Sequence, residues 1–543
     1  MRRIVLILLL IISVFANAQI VELKKLSTGK FVDGTTLWNA EDKDLYGYFY
    51  IFEKDITGKK EKLYEYVLLD KNLNKVFSGE FKDENIINNN YRSFNVRYLN
   101  GTILLQTTEN LFSQWRNDIR FRLLNVEENK LSDPFVFNAG LEKVPSSSNP
   151  KQKPSLLAII SNNPIGYYLN TPLQNVIDYN IPKKRTIENN NIQPKKKYFA
   201  DEQLNLKWSY EYNQNATKNK YCYTYAAPVV YKDDKNVLVL GKHFVGKDAE
   251  KEFKNGIFSD TFIFLDKENG NVLSEISPFG QKDEKITAKD VNEKKIFIKN
   301  NIATIINVTS NSKKSIFDED LIQGFSKAEF DIANGKELNR KYFSWNQISQ
   351  YVNIDENGYV KDANEPECYM YLHNIIMKED GNFIFILEEY KPLSSINLLL
   401  VEIEAGAKIN DMFFMELDKD MKVVKFEKIE KERKTIRNGV KMDGSKVNYY
   451  GYFDYAGYQD LGSDNYLFFY YNKQKPENGG KKQWILGIVA YKDGNFTEQK
   501  LPMKSEEGSD MLISPAKNGY IKIYETFKDK NKSPEIRLEK INY

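Results

Sequence analysis

The chain has 543 residues and a net charge of +3, from 78 Lys and Arg against 75 Asp and Glu, with only two His and two Cys. A balance this close to neutral gives no global field to draw in nucleic acid or an acidic membrane. Two histidines rule out histidine-rich zinc sites and H-E-x-x-H proteases, and no G-x-S-x-G elbow, G-x-x-x-x-G-K-[ST] loop or G-x-G-x-x-G loop occurs.

The chain opens with Met1-Arg2-Arg3, an apolar run from Ile4 to Phe15 broken only by Ser13, and Ala16-Asn17-Ala18 before Gln19. That order predicts a cleavable signal peptide over 1–18. The apolar run is too short for a membrane-spanning helix, which needs ~20 residues. No later stretch is long and apolar enough to span. The mature chain, 19–543, is therefore expected outside the cytoplasm, in the periplasm or at the cell surface. Its net charge falls to +1 once Arg2 and Arg3 are removed.

Downstream, one unit recurs: an alternating apolar strand, a turn led by Asp or Asn, and a second strand. It reads Tyr64–Phe77 around Asp70, Phe262–Leu273 around Asp266, and Met412–Val424 around Asp418. Weaker copies centre on Asn125, Asp201, Asp331 and Asp493, and a partial copy ends at Asn542. Period-2 alternation makes one face apolar, and Asp, Asn and Gly supply turn geometry. A second hairpin precedes most copies, at Arg97–Leu105, Val229–Leu240, Ile375–Ile386 and Ile513–Ile523. The period is thus four strands, about 67 residues long. Cys222 and Cys368 each begin a Cys-Tyr-x-Tyr segment ten residues before Lys232 and Lys378, so they mark equivalent positions two repeats apart.

Four strands repeated seven or eight times predict an all-β fold, a β-propeller of seven or eight four-stranded blades, with eight favoured. Pairing of Glu535–Tyr543 with Ile20–Leu26 would close it. Residues 19–543 are read as one domain; the alternative is two β-domains split near 190. Short helices are expected at Asp248–Lys254 and Lys425–Lys434. The hairpin at Asp266, and Phe199–Trp208, resemble the Asp-x-x-x-Gly turn of quinoprotein-type propeller repeats. That resemblance covers about ten residues per unit and implies fold, not quinone chemistry. The Asn, Ile, Lys and Tyr content, with this signal, resembles exported proteins of Bacteroidetes type.

Candidate chemistry is sparse. The clusters Lys183-Lys184-Arg185 and Lys195-Lys196-Lys197 read as solvated loops, and His243 and His373 as packed or surface residues. The cysteines, two blades apart, lie beyond the ~7 Å a disulfide permits, so both are expected as unpaired thiols. Asp70-x-Asn72-x-Asn74 lacks the Gly and Glu of a calcium loop, and Asp233-Asp234 and Asp418-x-Asp420 read no better. No metal site, disulfide, cofactor or catalytic residue is assigned.

The excess lies in 35 Tyr and 33 Phe. Most should pack between blades, but aromatic runs before inner strands would sit on one rim. The candidate ligand-binding residues are Tyr223, Tyr225, Tyr369, Tyr371, Tyr452 and Tyr455, offering flat faces and hydroxyls to sugars or peptides. The expectation is a monomeric, non-catalytic binding or scaffold protein whose partner is a glycan, peptide or envelope protein. The alternatives are a carbohydrate-active enzyme using paired carboxylates and a component of an envelope assembly complex.

Overall fold

A computed structural model describes residues 19–541 outside 40–43, 57–60, 85–90, 112–115, 139–140, 147–157, 164–165, 171–194, 213–219, 224–228, 232–235, 246–258, 267, 277–292, 310–322, 363–364, 399–400, 476–481, 506–508 and 530. The proposed signal, the split near 190, Tyr225 and the helix expected at Asp248–Lys254 fall outside the described residues.

The turns show why the strands end where they do. At Asp70 one carboxylate oxygen accepts from the N–H of Asn72 (2.7 Å) and of Asn74 (2.9 Å), and the other accepts from Asn74 Nδ2 (3.0 Å). Asp201 and Asp418 likewise accept from the backbone N–H groups of Gln203 and Asn205, and of Asp420 and Lys422. These turns need one residue in the left-handed region. Leu73, Leu204 and Met421 supply it, at φ 63°, 61° and 62°. The conformation costs about 1–2 kcal/mol for an L-residue, and each of the three side chains offsets it by being fully buried. The turns at Asp266 and Asp331 use Gly270 and Gly335 instead, at φ 73° and 71°. One sequence signature therefore covers two turn solutions.

The chain is all-β, with antiparallel strands joined in sequence order. The first sheet holds Lys30–Trp38, Leu45–Ile56, Glu61–Asp70 and Lys75–Glu84. The second runs from Tyr91–Leu99 through Thr102–Leu111 and Arg116–Asn125 to Phe135–Phe137 and Lys143–Pro145. The third spans Ala158–Asn163 to Leu206–Tyr212, the fourth Lys220–Tyr223 to Val272–Ile276, and the fifth Glu293–Lys299 to Glu337–Ser344. The sixth is built on Glu365–Met377, Phe383–Leu393, Gly406–Leu417 and Val423–Ile429, and the seventh runs from Tyr455–Gly462 to Asn495–Pro502. The terminal sheet combines Asp510–Pro515, Tyr520–Thr526 and Glu535–Lys540 with the distant strand Gln19–Glu22, which pairs residue for residue with Glu535–Leu538. That pairing stops earlier than Leu26, because Leu23–Leu26 turn into one helical turn.

No sheet can bury both faces alone, so the cores lie between neighbours. Leu23, Ile536 and Leu538 pack on Tyr48, Tyr50 and Val67 of the first sheet. Phe49 and Tyr66 meet Phe94 and Leu105 of the second, whose Phe121 meets Tyr198 of the third. Trp208 of the third sheet lies over Gly270 of the fourth, so closely that a Cβ there would come within 2.6 Å of the indole. Phe262 meets Ile305, Phe325 meets Phe385, Phe414 meets Phe468, and Phe469 meets Ile523. The last of these brings the seventh sheet onto the terminal one. Most phenylalanines named here serve packing.

The segment Lys425–Lys434 is not a helix. Val423–Ile429 is the outer strand of the sixth sheet, and Lys434–Arg437 pairs with Gly406–Ile409. An outer strand has one neighbour and much open surface, so charged residues sit on it without penalty and imitate a polar helix. The one helix of this region is Gly444–Tyr449, which the periodicity of the sequence does not announce.

Candidate functional site

Four of the six tyrosines predicted from sequence converge where the sixth sheet meets the seventh. Tyr369 and Tyr371 lie within the strand Glu365–Met377 rather than before it, while Tyr452 ends the connecting segment and Tyr455 opens the seventh sheet. Tyr371 stacks on Phe453 at 4.7 Å, and Tyr369 lies 5.7 Å from Tyr390. His373 sits among these rings, 5.0 Å from Tyr371, 4.8 Å from Phe453 and 4.8 Å from Tyr455. Tyr223 lies on the strand Lys220–Tyr223 of the fourth sheet, opposite Lys242, and Cys222 lies opposite His243; these side chains lie outside the described residues.

Beneath the rings is a buried ion cluster. Glu388 Oε2 is 2.8 Å from His373 Nε2, and its Oε1 takes Lys431 Nζ at 2.5 Å. Glu388 also accepts from the backbone N–H groups of Asp454 (3.0 Å) and Tyr455 (3.3 Å). Lys431 donates to Asp454 Oδ2 at 2.9 Å, and Lys434 binds Asp454 Oδ1 at 3.2 Å and the Tyr452 carbonyl at 2.8 Å. Burial alone would raise the Glu388 carboxyl; Lys431 and His373 outweigh it and hold it at about 2. Burial would likewise lower Lys431, but Asp454 and Glu388 raise it above the ordinary lysine value. Every charge here is stitched to an opposite one and to backbone donors. The cluster ties the connecting segment to two strands of the sixth sheet.

On this floor stands the helix Gly444–Tyr449, capped by Asp443, whose side chain accepts from the Lys446 N–H at 2.9 Å. Gly444 is needed where the helix meets the sheet: a Cβ would approach Tyr371 Cδ2 to 2.6 Å and Tyr390 Oη to 3.0 Å. The far end of the helix carries Tyr449 and Tyr450, which remain 83% and 55% exposed. Tyr449 meets Tyr450 edge-on at 5.2 Å, and Tyr450 lies 5.8 Å from the half-buried Tyr452. Tyr455 is instead enclosed, and burial together with Tyr458 pushes its hydroxyl upward. Of the candidate tyrosines here, Tyr369, Tyr371 and Tyr455 form the floor, and Tyr452 borders an exposed aromatic step.

Sequence reasoning missed Glu388, Lys431 and Asp454. The signal was present in Glu388-Glu389, two carboxylates inside the otherwise apolar run Phe383–Tyr390. Glu389 points to the opposite face, where Asn410 Nδ2 donates to it at 3.2 Å and to the Cys368 thiol at 3.4 Å. Burial raises its carboxyl, with Cys368 and Asn410 pulling the other way. Cys368 is buried and free of any disulfide. Among the described residues no group of three or more His, Cys, Asp or Glu is placed to hold a metal ion, and no helix is long and apolar enough to cross a membrane.

Residues 278–542 match a family of unknown function (DUF6770). No curated protein matches the chain. Among solved structures it is similar to the β-propeller domain of the Trilobed protease from Pyrococcus furiosus, at 9% identity over 84% of this chain and 96% of that one, TM-score 0.31. It is also similar to a polysaccharide lyase of family PL25, an ulvan lyase, at 10% identity over 82% and 91%, TM-score 0.33. Prolyl oligopeptidase B from Galerina marginata follows at 11% identity over 66% and 38%, TM-score 0.29. Likeness of this degree says nothing of activity.

Proposed function

We propose that the chain is an exported, non-catalytic binding protein whose ligand, a glycan or peptide, seats on the step formed by Tyr449, Tyr450 and Tyr452. In this reading the sheets are blades of an eight-bladed propeller, closed by Gln19–Glu22 on Glu535–Leu538. The succession of cores from each sheet to the next, and from the seventh through the terminal sheet to the first, supports it.

The observation that carries the binding reading is the exposure of two tyrosines on a helix that is itself immobilised by Gly444, Tyr371, Tyr390 and the ion cluster beneath. Aromatic faces held rigidly in water lose little entropy when a ligand covers them. The enzyme reading is weaker at this site. A glycosidic general acid needs a raised carboxyl pKa beside a second free carboxylate. Glu388 is held at about 2, and Asp454 is committed to Lys431 and Lys434. Glu389 is raised but only 2% exposed.

The test is calorimetric titration of the purified mature chain with a panel of neutral and acidic oligosaccharides and of peptides. Binding by the wild type and a loss of about tenfold or more in Tyr449→Ala/Tyr450→Ala, with unchanged melting temperature, is expected. Equal affinity of the double variant, or no binding across the panel, overturns the proposal. Amino-terminal sequencing of the protein recovered from cell fractions checks the export step.

A further inference from the structure

Resting on the binding reading above, we propose that the ligand of the tyrosine step is an acidic oligosaccharide, one that carries uronate or sulfate groups. Between Glu432 and Asp454 the connecting segment holds five cations, Arg433, Lys434, Arg437, Lys441 and Lys446, against the single carboxylate of Asp443. This short stretch is thus four charges in excess, while the whole chain carries only +3. Two of the five are already committed. Lys434 is bound to Asp454 and to the Tyr452 carbonyl, and Lys446 pairs with Asp443 at 2.9 Å. Arg437 and Lys441 are exposed, and neither forms an ion pair with a carboxylate among the described residues. Arg437 Nη1 donates to the Glu404 carbonyl at 2.7 Å, which steadies the guanidinium and leaves its other N–H groups to a ligand.

These cations and the tyrosines belong to one small module. Ile436, Met442, Val447 and Tyr452 turn inward onto Tyr390 and Phe453. The Met442 N–H holds that turn to the sheet through the Gly406 carbonyl, at 3.3 Å. The residues between them, Arg437, Lys441, Lys446, Tyr449 and Tyr450, are all exposed and clothe the outside of the same core. On the helix, Lys446 stands three and four residues before Tyr449 and Tyr450, a spacing that puts side chains on a shared face.

Ring and charge together select the ligand. A peptide docks as an added strand on a sheet edge or as a helix in a groove. Tyr449 and Tyr450 instead stand on a helix, whose backbone groups bond internally, and they project into water edge-on to each other. A sugar ring needs only the flat aromatic face. An anionic group on that sugar meets the Arg437 guanidinium through parallel N–H groups and the Lys441 ammonium as a point charge. Exposed pairs of this kind are weak singly and screened by salt, so the preference for an anionic sugar must fade as salt rises.

The experiment titrates the intact mature protein with two matched pairs: oligogalacturonate against its methyl ester, and sulfated against unsulfated dextran oligosaccharides. At an ionic strength of about 0.01 M the charged member of at least one pair is expected to bind about tenfold more tightly than its neutral twin. That advantage should shrink severalfold at about 0.15 M, as the Debye length falls from ~30 to ~8 Å. The pair that shows it tells uronate from sulfate. Arg437→Gln/Lys441→Gln is expected to bring the charged and neutral twins within about twofold of each other. Equal affinity for the twins, with binding lost in Tyr449→Ala/Tyr450→Ala, overturns the acidic class and leaves the step standing as a site. A charge preference that survives Arg437→Gln/Lys441→Gln overturns it as well, as does the absence of binding in both pairs. Charged binding that ignores Tyr449→Ala/Tyr450→Ala overturns the step itself. The ratio between twins in the wild-type protein is decisive even where a variant fails to fold.

Discussion

The junction between the first and second sheets and that between the sixth and seventh are filled by different chemistry. In the first, Asp83 at the end of the strand Lys75–Glu84 is gripped by guanidinium groups: Arg120 at 2.8 Å, Arg122 at 3.3 Å and Arg92 at 3.8 Å. Arg92 also reaches Glu109 at 3.3 Å. Burial raises the Asp83 carboxyl, but Arg122, Arg92 and Arg120 together bring it below the ordinary value. In the second, two ammonium groups and a histidine share Glu388 and Asp454. The difference teaches that buried charge clusters of unlike membership can each tie one sheet to the chain of the next. The feature particular to the sixth–seventh junction is the helix with its exposed tyrosines.

Removing the single carboxylate on which three arginines converge should cost most. Asp83→Asn is expected to destabilise by about 4 kcal/mol, because it removes the charge that three buried guanidinium groups share; urea unfolding measures it. Glu388→Gln should cost less, about 3 kcal/mol, since the amide can still hydrogen bond. This second cost must depend on pH. The folded Glu388 titrates below its unfolded value, so its stabilisation is present above about 4.5 and fades as pH falls through about 2. The gap between wild type and Glu388→Gln should therefore be full at pH 7 and close progressively below pH 4.5; equal gaps at pH 7 and pH 3 would show the cluster to be uncoupled from folding.

Smaller effects sharpen the contrast between shape and site. Asp418→Ala should cost about 1 kcal/mol, because it releases the N–H groups of Asp420 and Lys422 while Met421 stays in the left-handed region. Tyr449→Ala should change stability by less than about 0.5 kcal/mol, as expected of a side chain 83% exposed. A larger loss in thermal unfolding would make that ring structural and weaken its assignment to a ligand.

Much of the fold was legible because strand alternation and Asp-led turns are local. Asp70, Asp201, Asp266, Asp331 and Asp418 all head turns, and the pairing of the two ends followed from an unpaired half-unit. What stayed hidden was set by tertiary contact. Leu73 and Met421 look like ordinary apolar residues, yet they carry the left-handed turn position. Lys431 and Asp454 lie some 20 residues apart in sequence and meet only because the connecting segment folds back over Glu388. The helix Gly444–Tyr449 has a cap but too few turns to show a period. The tyrosines were visible as a run, but which ones face solvent depends on how that helix lands.

The strand Gln19–Glu22 finds its partner more than 500 residues later. During synthesis it must therefore wait as an unsatisfied edge while all the intervening sheets form. Such a long-range contact comes late and slowly. Deleting Glu535–Lys540 would leave Gln19–Glu22 without the neighbour it pairs with and expose one flank of the first sheet.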